Sequence, residues 1–489
     1  MINRSTCWLL SLLVASVFVT YVLAADLAGP DRDSLLVSAD GSGDYPDLQA
    51  AIDAAKSGDV IQLGPGVYET SVAINKPITL RGAGWDKTRI EGRYFQPFDL
   101  EAAPEDIREE MAEYHRRANA AEGEEYEAIL REMVEKLGPK PTLTMKHSRG
   151  VVVRGLSISL PGPVKKGGLM SVPAVLLADV QAKFTNVAVL DSAGDGVKLT
   201  TGAEVEFEHC LFASIRGTGL EIREPRDERA AAYHGSKRNE VGPVRVRDCD
   251  FRTFGYSGIL VGKGAADVSI KRCRISQACY HGIFHRDSSP TIEDCLIFNN
   301  RRSGIYLRDK TAATIRNNVF IDNGIGAHEE ASDTIEQNTF YGGAREPFRS
   351  GVILAPDTRA QLRRNIFQET DTGLSSYQKP EQSQSVEEIR SSLALTGNLF
   401  WNNQQNFTIA PYEKKSGNEK KAVQLALPPS NEELNPGLVD PAAGNFLPIE
   451  GSVAERMKAG ARPVIELKSP WAEQPAEKKL LETLGESFD

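Results

Sequence analysis

Aromatic rings, arginines and histidines recur in this chain at fixed offsets from a series of glycines, and that spacing marks where chemistry could sit. Gly219 (GLEI), Gly258 (GILV), Gly282 (GIFH) and Gly304 (GIYL) each open a short apolar segment. Side chains alternate along an extended strand, so the first and third residues after each glycine face one way and the second and fourth the other. The outward second column is expected to hold Lys198, Glu221, Leu260, Phe284, Tyr306 and His328, and the fourth to include Arg223, Arg286, Arg308 and Glu330. Tyr256, Tyr280, His281 and Arg302 fall just before the strands. Aromatic faces stack on sugar rings, and a guanidinium holds a carboxylate through two parallel bonds. Removing the proton beside a uronate carboxylate needs a cation on the carboxylate and a base nearby. Arg286 and Arg308 are therefore candidate catalytic cations, with His281 and Tyr306 as candidate base or acid. Arg223, Tyr256, Tyr280, Phe284 and His328 are candidate substrate contacts. The plainer alternative is an ordinary exposed sheet of mixed residues, with His281 structural. His285 falls on the inward side, where neighbouring strands carry valine or leucine, and a buried imidazole needs a partner.

The elements that must position these residues repeat. Eight segments share the pattern apolar-x-x-[Cys/Asn]-x-[Phe/Ile]: FEHCLF, VRDCDF, IKRCRI, IEDCLI, IRNNVF, IEQNTF, LRRNIF and LTGNLF. Their central residues are Cys210, Cys249, Cys273, Cys295, Asn318, Asn338, Asn365 and Asn398. From Cys249 to Asn338 the steps are 24, 22, 23 and 20 residues, the length of one coil of short strands and turns. In stacked parallel strands each residue lies about 4.8 Å above its counterpart in the coil below. Like residues then form columns: Phe/Ile in the core, and Asn/Cys at a corner. Asparagine suits the corner because it tolerates left-handed backbone and its amide bonds to the amide above. Cysteine fills the same column as a small apolar group. Stacked thiols point in parallel, so most of the five cysteines left in the exported chain, the fifth being Cys279, are expected to be free.

The repeats resemble those of the pectin-lyase-like superfamily, which implies an all-β fold, a right-handed parallel β-helix of three sheets. The segment from Ala39 to Gly84 resembles the N-terminal cap and first coils of pectinesterase-type β-helix proteins, with Leu48, Ala51, Ile52 and Ala55 forming the apolar face of a capping helix. The catalytic segments of pectinesterases, polygalacturonases and pectate lyases have no counterpart here, so those activities do not carry over. YHGIFHRDSS, Tyr280 to Ser289, is similar to a strand of mannuronan epimerases, with the histidine one position early.

Residues 1–24 resemble a signal peptide, an apolar run from Trp8 to Leu23 behind Arg4, which implies a secreted or periplasmic protein. Residues 35–96 are expected to form the cap and first coils, 97–140 a helical insertion, 141–403 the solenoid repeats, and 404–489 an irregular C-terminal segment. Further excursions are expected at Arg223–Pro243 and at Ser376–Ser392, the latter polar enough to be mobile. Trp471 and a helix from Glu477 to Phe488 are expected to cap the last coil. The net charge of -10, with no polybasic block, argues against nucleic acid. No metal or cofactor is expected, nor a membrane partner once the signal is removed, and the chain is expected to be a monomer. Two functions fit: a lyase-type enzyme on an acidic, uronate polysaccharide, or a non-catalytic glycan-binding or scaffold protein.

Overall fold

The computed structural model describes residues 34–480 apart from 96–99, 102, 163–171, 225–239, 329, 343–349, 357, 379–383, 412–422, 463–468, 470, 472–476 and 478–479. The expected signal peptide and most of the Arg223–Pro243 excursion lie outside the described residues. The chain winds a right-handed parallel β-helix whose coils contribute one strand to each of three ladders. The first sheet stacks Val197–Leu199, Leu220–Ile222, Ile259–Val261, Ile283–Arg286, Ile305–Arg308 and Ile325–Ala327. The second contains Glu204–Glu208, Val244–Arg247 and Val268–Lys271, and the third Leu211–Ile215, Asp250–Phe254 and Arg274–Ala278. Neighbouring coils pair in parallel register, Phe212 with Phe251, Phe251 with Ile275, and so on to Phe367 with Phe400.

That register explains the repeat. Phe320, Phe340, Phe367 and Phe400 stack face to face at 4.7–4.9 Å between ring centres, fully inside. Each such side chain contributes about 1.5–3 kcal/mol by leaving water. At the corner between the second and third sheets Asn318, Asn338, Asn365, Asn398 and Asn431 pass amide hydrogen bonds of 2.8–3.1 Å up the column. Cys210, Cys249, Cys273 and Cys295 continue it downward, buried and free, and Cys279 is free as well. The left-handed residue at this corner is not the column residue. It is the one before it, His209, Asp248, Arg272, Asp294, Asn317, Gln337 and Arg364, at φ of 50–56°. The column residue is chosen for what its side chain bonds rather than for its backbone.

Helix α1, Leu48–Ala54, caps the first coil with Leu48, Ala51 and Ile52 buried. The insertion is a hairpin of α2, Glu105–Asn119, and α3, Gly123–Leu137, which closes Met111, Tyr114, Ile129 and Met133 into a small core of its own. Two expectations need correction. The stretch expected to be mobile carries a strand to Gln378 and a helix α4, Val386–Ser392, fixed by a capping box between Ser385 and Glu388. Trp471 does not cap the last coil. The described residues of the C-terminal segment lie along the outside of the third sheet, where Gly460 and Ala461 bond to Arg364 and Thr339. Trp471 then meets Trp85 at 4.9 Å over Ala188, Leu211 and Ala213 of the early coils. The third sheet's outward apolar residues, Leu296, Val319, Ile366 and Leu399, explain why: they need cover.

Candidate functional site

Each outer face of the solenoid has a different fate. The third is covered by the C-terminal segment, which is pinned where Glu477 takes a two-point bond from Arg252 at 2.8 and 3.0 Å. The second is a ladder of paired charge: Lys271 and Arg316 flank Glu293 at 3.4 and 2.6 Å, and Lys183 meets Glu206 and Glu208 at 3.3 and 2.9 Å. The first carries the candidate residues, and the insertions leave the solenoid from the corners on either side of it.

On the first sheet the register brings Leu260, Phe284 and Tyr306 into one column and Arg286 and Arg308 into the next. His328 is not in the second column. Tyr306 pairs with Gly326, so His328 follows Ala327 into the fourth column beside Arg308, and Glu330 lies beyond the strand in left-handed backbone. The exchange is functional in packing terms. A side chain at 326 would meet the Tyr306 ring at 3.2 Å, and glycine lets that ring reach over to His328, 4.9 Å away.

The rings form one continuous layer. Tyr256 stacks on Tyr280 at 4.8 Å, and the Arg302 guanidinium sits 4.1 Å over the other side of Tyr280. His281 lies beneath, 1% exposed, edge-on to Tyr280 at 4.3 Å and stacked on Tyr306 at 4.4 Å. Burial, with the Arg302 charge, pushes its imidazole down to about 3, so it is neutral over the physiological range. His285 is fully buried as the register requires, its partner is Ser288 Oγ at 3.1 Å, and burial holds it at about 3 also. Arg286 and Arg308 are the exposed cations of the layer. Both reach Asp309, Arg308 at 3.8 Å.

Arg223 is one coil before Tyr256 and two before Arg286, at the N-terminal end of the same face. It lies flat over Gly262, where a Cβ would come within 2.8 Å of its own Cβ, and its Nε forms an ion pair with Glu221. Lys198 approaches the other Glu221 oxygen at 3.9 Å. Asp195 completes this group. Its Oδ1 accepts the Thr218 N–H at 2.8 Å, and burial together with the Glu221 charge pushes its carboxyl up to about 6. Sequence reading missed Asp195 because it looked before the glycines only for rings and arginines. The signal was present: Asp195 precedes Gly196 as His281 precedes Gly282.

Among the described residues no cluster of three metal-ligating side chains occurs, and no helix is long and apolar enough to cross a membrane. The clefts at the root of the hairpin, about 840 Å³ beside Arg93 and Asp106, and on the second sheet, about 440 Å³ beside Lys183 and Arg245, lie off the first sheet.

Residues 173–418, in overlapping stretches 173–340 and 257–418, match the family described as "Right handed beta helix region". That is half of the chain, and the protein belongs to this family, as the coils above require. No curated protein sequence matches it. Among solved structures it is similar to the A-module of the mannuronan C-5 epimerase AlgE4 of Azotobacter vinelandii (14% identity, 67% of this chain and 91% of that one, TM-score 0.43). It is also similar to the GH136 lacto-N-biosidase from Eubacterium ramulus (13% identity, 77% and 67%, TM-score 0.40) and to the pectate lyase Pel9A (14% identity, 73% and 80%, TM-score 0.37). None of these likenesses carries a residue or an activity over to this chain.

Proposed function

We propose that this protein binds an acidic polysaccharide lengthwise along the first sheet and cleaves it by β-elimination, as a secreted or periplasmic monomer. One observation carries the reading: among the described residues it is the first outer face that brings a continuous ring layer together with the arginine pair. Tyr256, Tyr280, Phe284 and Tyr306 offer a surface for sugar rings at a coil spacing of about 4.8 Å, close to the length of one sugar unit. Arg286 and Arg308 are placed for uronate carboxylates, and His328 borders them. His281, neutral and beneath the rings, supports Tyr306.

The test is to present the purified protein with pectate, alginate and glucuronan and to follow ultraviolet absorbance, which rises as unsaturated ends form. Arg286→Ala and Arg308→Ala each weaken binding roughly 10- to 100-fold, the loss of one charge-assisted pair, without altering the fold. Neither product nor binding on any of the three polymers overturns the reading. Binding without product, weakened in both variants, leaves the non-catalytic glycan-binding protein, a reading favoured by the burial of His281, which makes its imidazole a weak base.

A further inference from the structure

The group at the N-terminal end of the first sheet has a composition that the ring layer lacks. Two carboxyls, Asp195 and Glu221, lie on adjacent coils with Lys198 and Arg223. Both cations contact Glu221, whereas Asp195 is held by the Thr218 backbone N–H. Its close approach is accommodated by Gly217. That glycine has ordinary backbone, yet a Cβ there would lie 2.2 Å from Asp195 Oδ1, in a column that holds Tyr256 and Tyr280 on the next two coils. Thr218, whose N–H holds Asp195, separates it in its column from Ser257 on the coil beyond.

We propose that Asp195 and Glu221 are the proton-transfer pair of the reaction, acting on a uronate unit whose neighbours lie on the ring layer. This rests on the β-elimination reading above. Glu221 takes the proton from C5 of the uronate as the C4=C5 double bond forms. The C4–O4 bond breaks, and the leaving oxygen takes its proton from Asp195. Glu221 then passes its proton to Asp195, which restores the starting state, so that the C5 hydrogen ends on O4 and nothing else is consumed. The cations serve both stages. As Glu221 becomes neutral, Arg223 and Lys198 are released from its charge just when negative charge grows on the uronate carboxylate. Asp195 is suited to donate because burial beside Glu221 holds it protonated up to a pH of about 6. Glu221, Lys198 and Arg223 are the charged groups that face it.

Asp195→Asn and Glu221→Gln test the pair on whichever uronate polymer the wild type cleaves. Each is expected to lower kcat roughly 10²- to 10⁴-fold, the usual worth of a general acid or base, with binding of the polymer unchanged. Wild-type kcat is expected to fall as pH rises through about 6, where Asp195 loses its proton. In residual Glu221→Gln activity that limb is expected to move to lower pH, because the Glu221 charge that adds to the effect of burial on Asp195 is gone. Should Asp195→Asn not fold, Glu221→Gln and the wild-type profile decide. Unchanged turnover in both folded variants, or a wild-type profile flat through that range, overturns the pair while leaving the binding face intact. Arginine variants without effect on binding overturn the face itself.

Discussion

Asn338→Ala cuts the corner column at its middle, and the structure sets the size of the effect. The Asn338 amide accepts from the Asn318 backbone N–H at 2.9 Å and from the Asn318 amide at 3.0 Å. It donates to Ile315 O at 2.9 Å and to Asn365 Oδ1 at 3.1 Å. Alanine removes all four bonds. The Asn318 amide keeps its bond to Ile292 O, and Asn365 Oδ1 keeps the Asn338 N–H, so two groups lose this partner outright: the Asn318 N–H and the Ile315 carbonyl. A buried polar group left unsatisfied costs about 1–3 kcal/mol, which puts the loss for the two at about 2–6 kcal/mol. Asn338→Cys is the informative control because the chain itself uses cysteine lower in the column. There Cys249 Sγ accepts the Cys210 N–H at 3.4 Å and donates to Phe207 O at 3.6 Å, weak versions of the two bonds in question. The cysteine variant is therefore expected to lose about 1–2 kcal/mol. Urea unfolding followed by circular dichroism measures both, with the slope held constant as the check that only stability has changed. An alanine loss below about 1 kcal/mol, or equal losses for alanine and cysteine, would refute the hydrogen-bond account of the column.

Further perturbations reach other parts of the molecule. Ile297→Asp places a carboxylate in the fully buried core column between Ile275 and Phe320, and a loss above about 4 kcal/mol is expected, seen as absence of folded protein; normal melting would mean that the register is wrong. Arg252→Ala strands the buried Glu477 carboxylate, worth about 3–5 kcal/mol, and is expected to free the C-terminal segment, read as a red shift of Trp471 fluorescence. Acid stability follows from His285. Its folded-state value of about 3 lies below the ordinary 6.5, so the unfolded chain takes the proton first; its contribution is complete above 6.5 and drains away towards 3, by about 1.4 kcal/mol per pH unit. Asp333, raised to about 6 from 3.8, has the opposite sign and adds stability as pH falls over that span. His285→Leu, matching Val261 and Leu307 in its column, is expected to flatten the acid limb, and an unchanged limb contradicts the assignment.

The solenoid was legible because stacking imposes identity: Phe212, Phe251, Phe320 and Phe340 must match what lies above and below them, and so they repeat in the sequence. The free thiols followed from the same register. The corner was read one residue out, since φ is not written in side-chain type; His209, Arg272 and Gln337 occupy left-handed positions that no composition rule would assign to them. His328 was misplaced because its strand carries Gly326 where the others carry a side chain, so the eye moved to the next ring. Trp471 could not be placed from sequence at all. Its contact with Trp85 spans most of the chain and belongs to no repeat, and only the outward apolar residues of the third sheet hinted that something must cover them. The buried carboxyl of Asp195 was visible only as a column position whose chemistry depends on Glu221 one coil away.

The binding face is tested most directly by oxidative footprinting with hydroxyl radicals, with and without a saturating uronate oligosaccharide, read residue by residue by mass spectrometry. Protection is expected at Tyr256, Tyr280, Phe284 and Tyr306, with Tyr126 on the hairpin and Trp401 on the third sheet, both exposed, reacting as before. Protection at Tyr126 or Trp401 with the first-sheet rings unchanged would place the glycan elsewhere and contradict the assignment of this face.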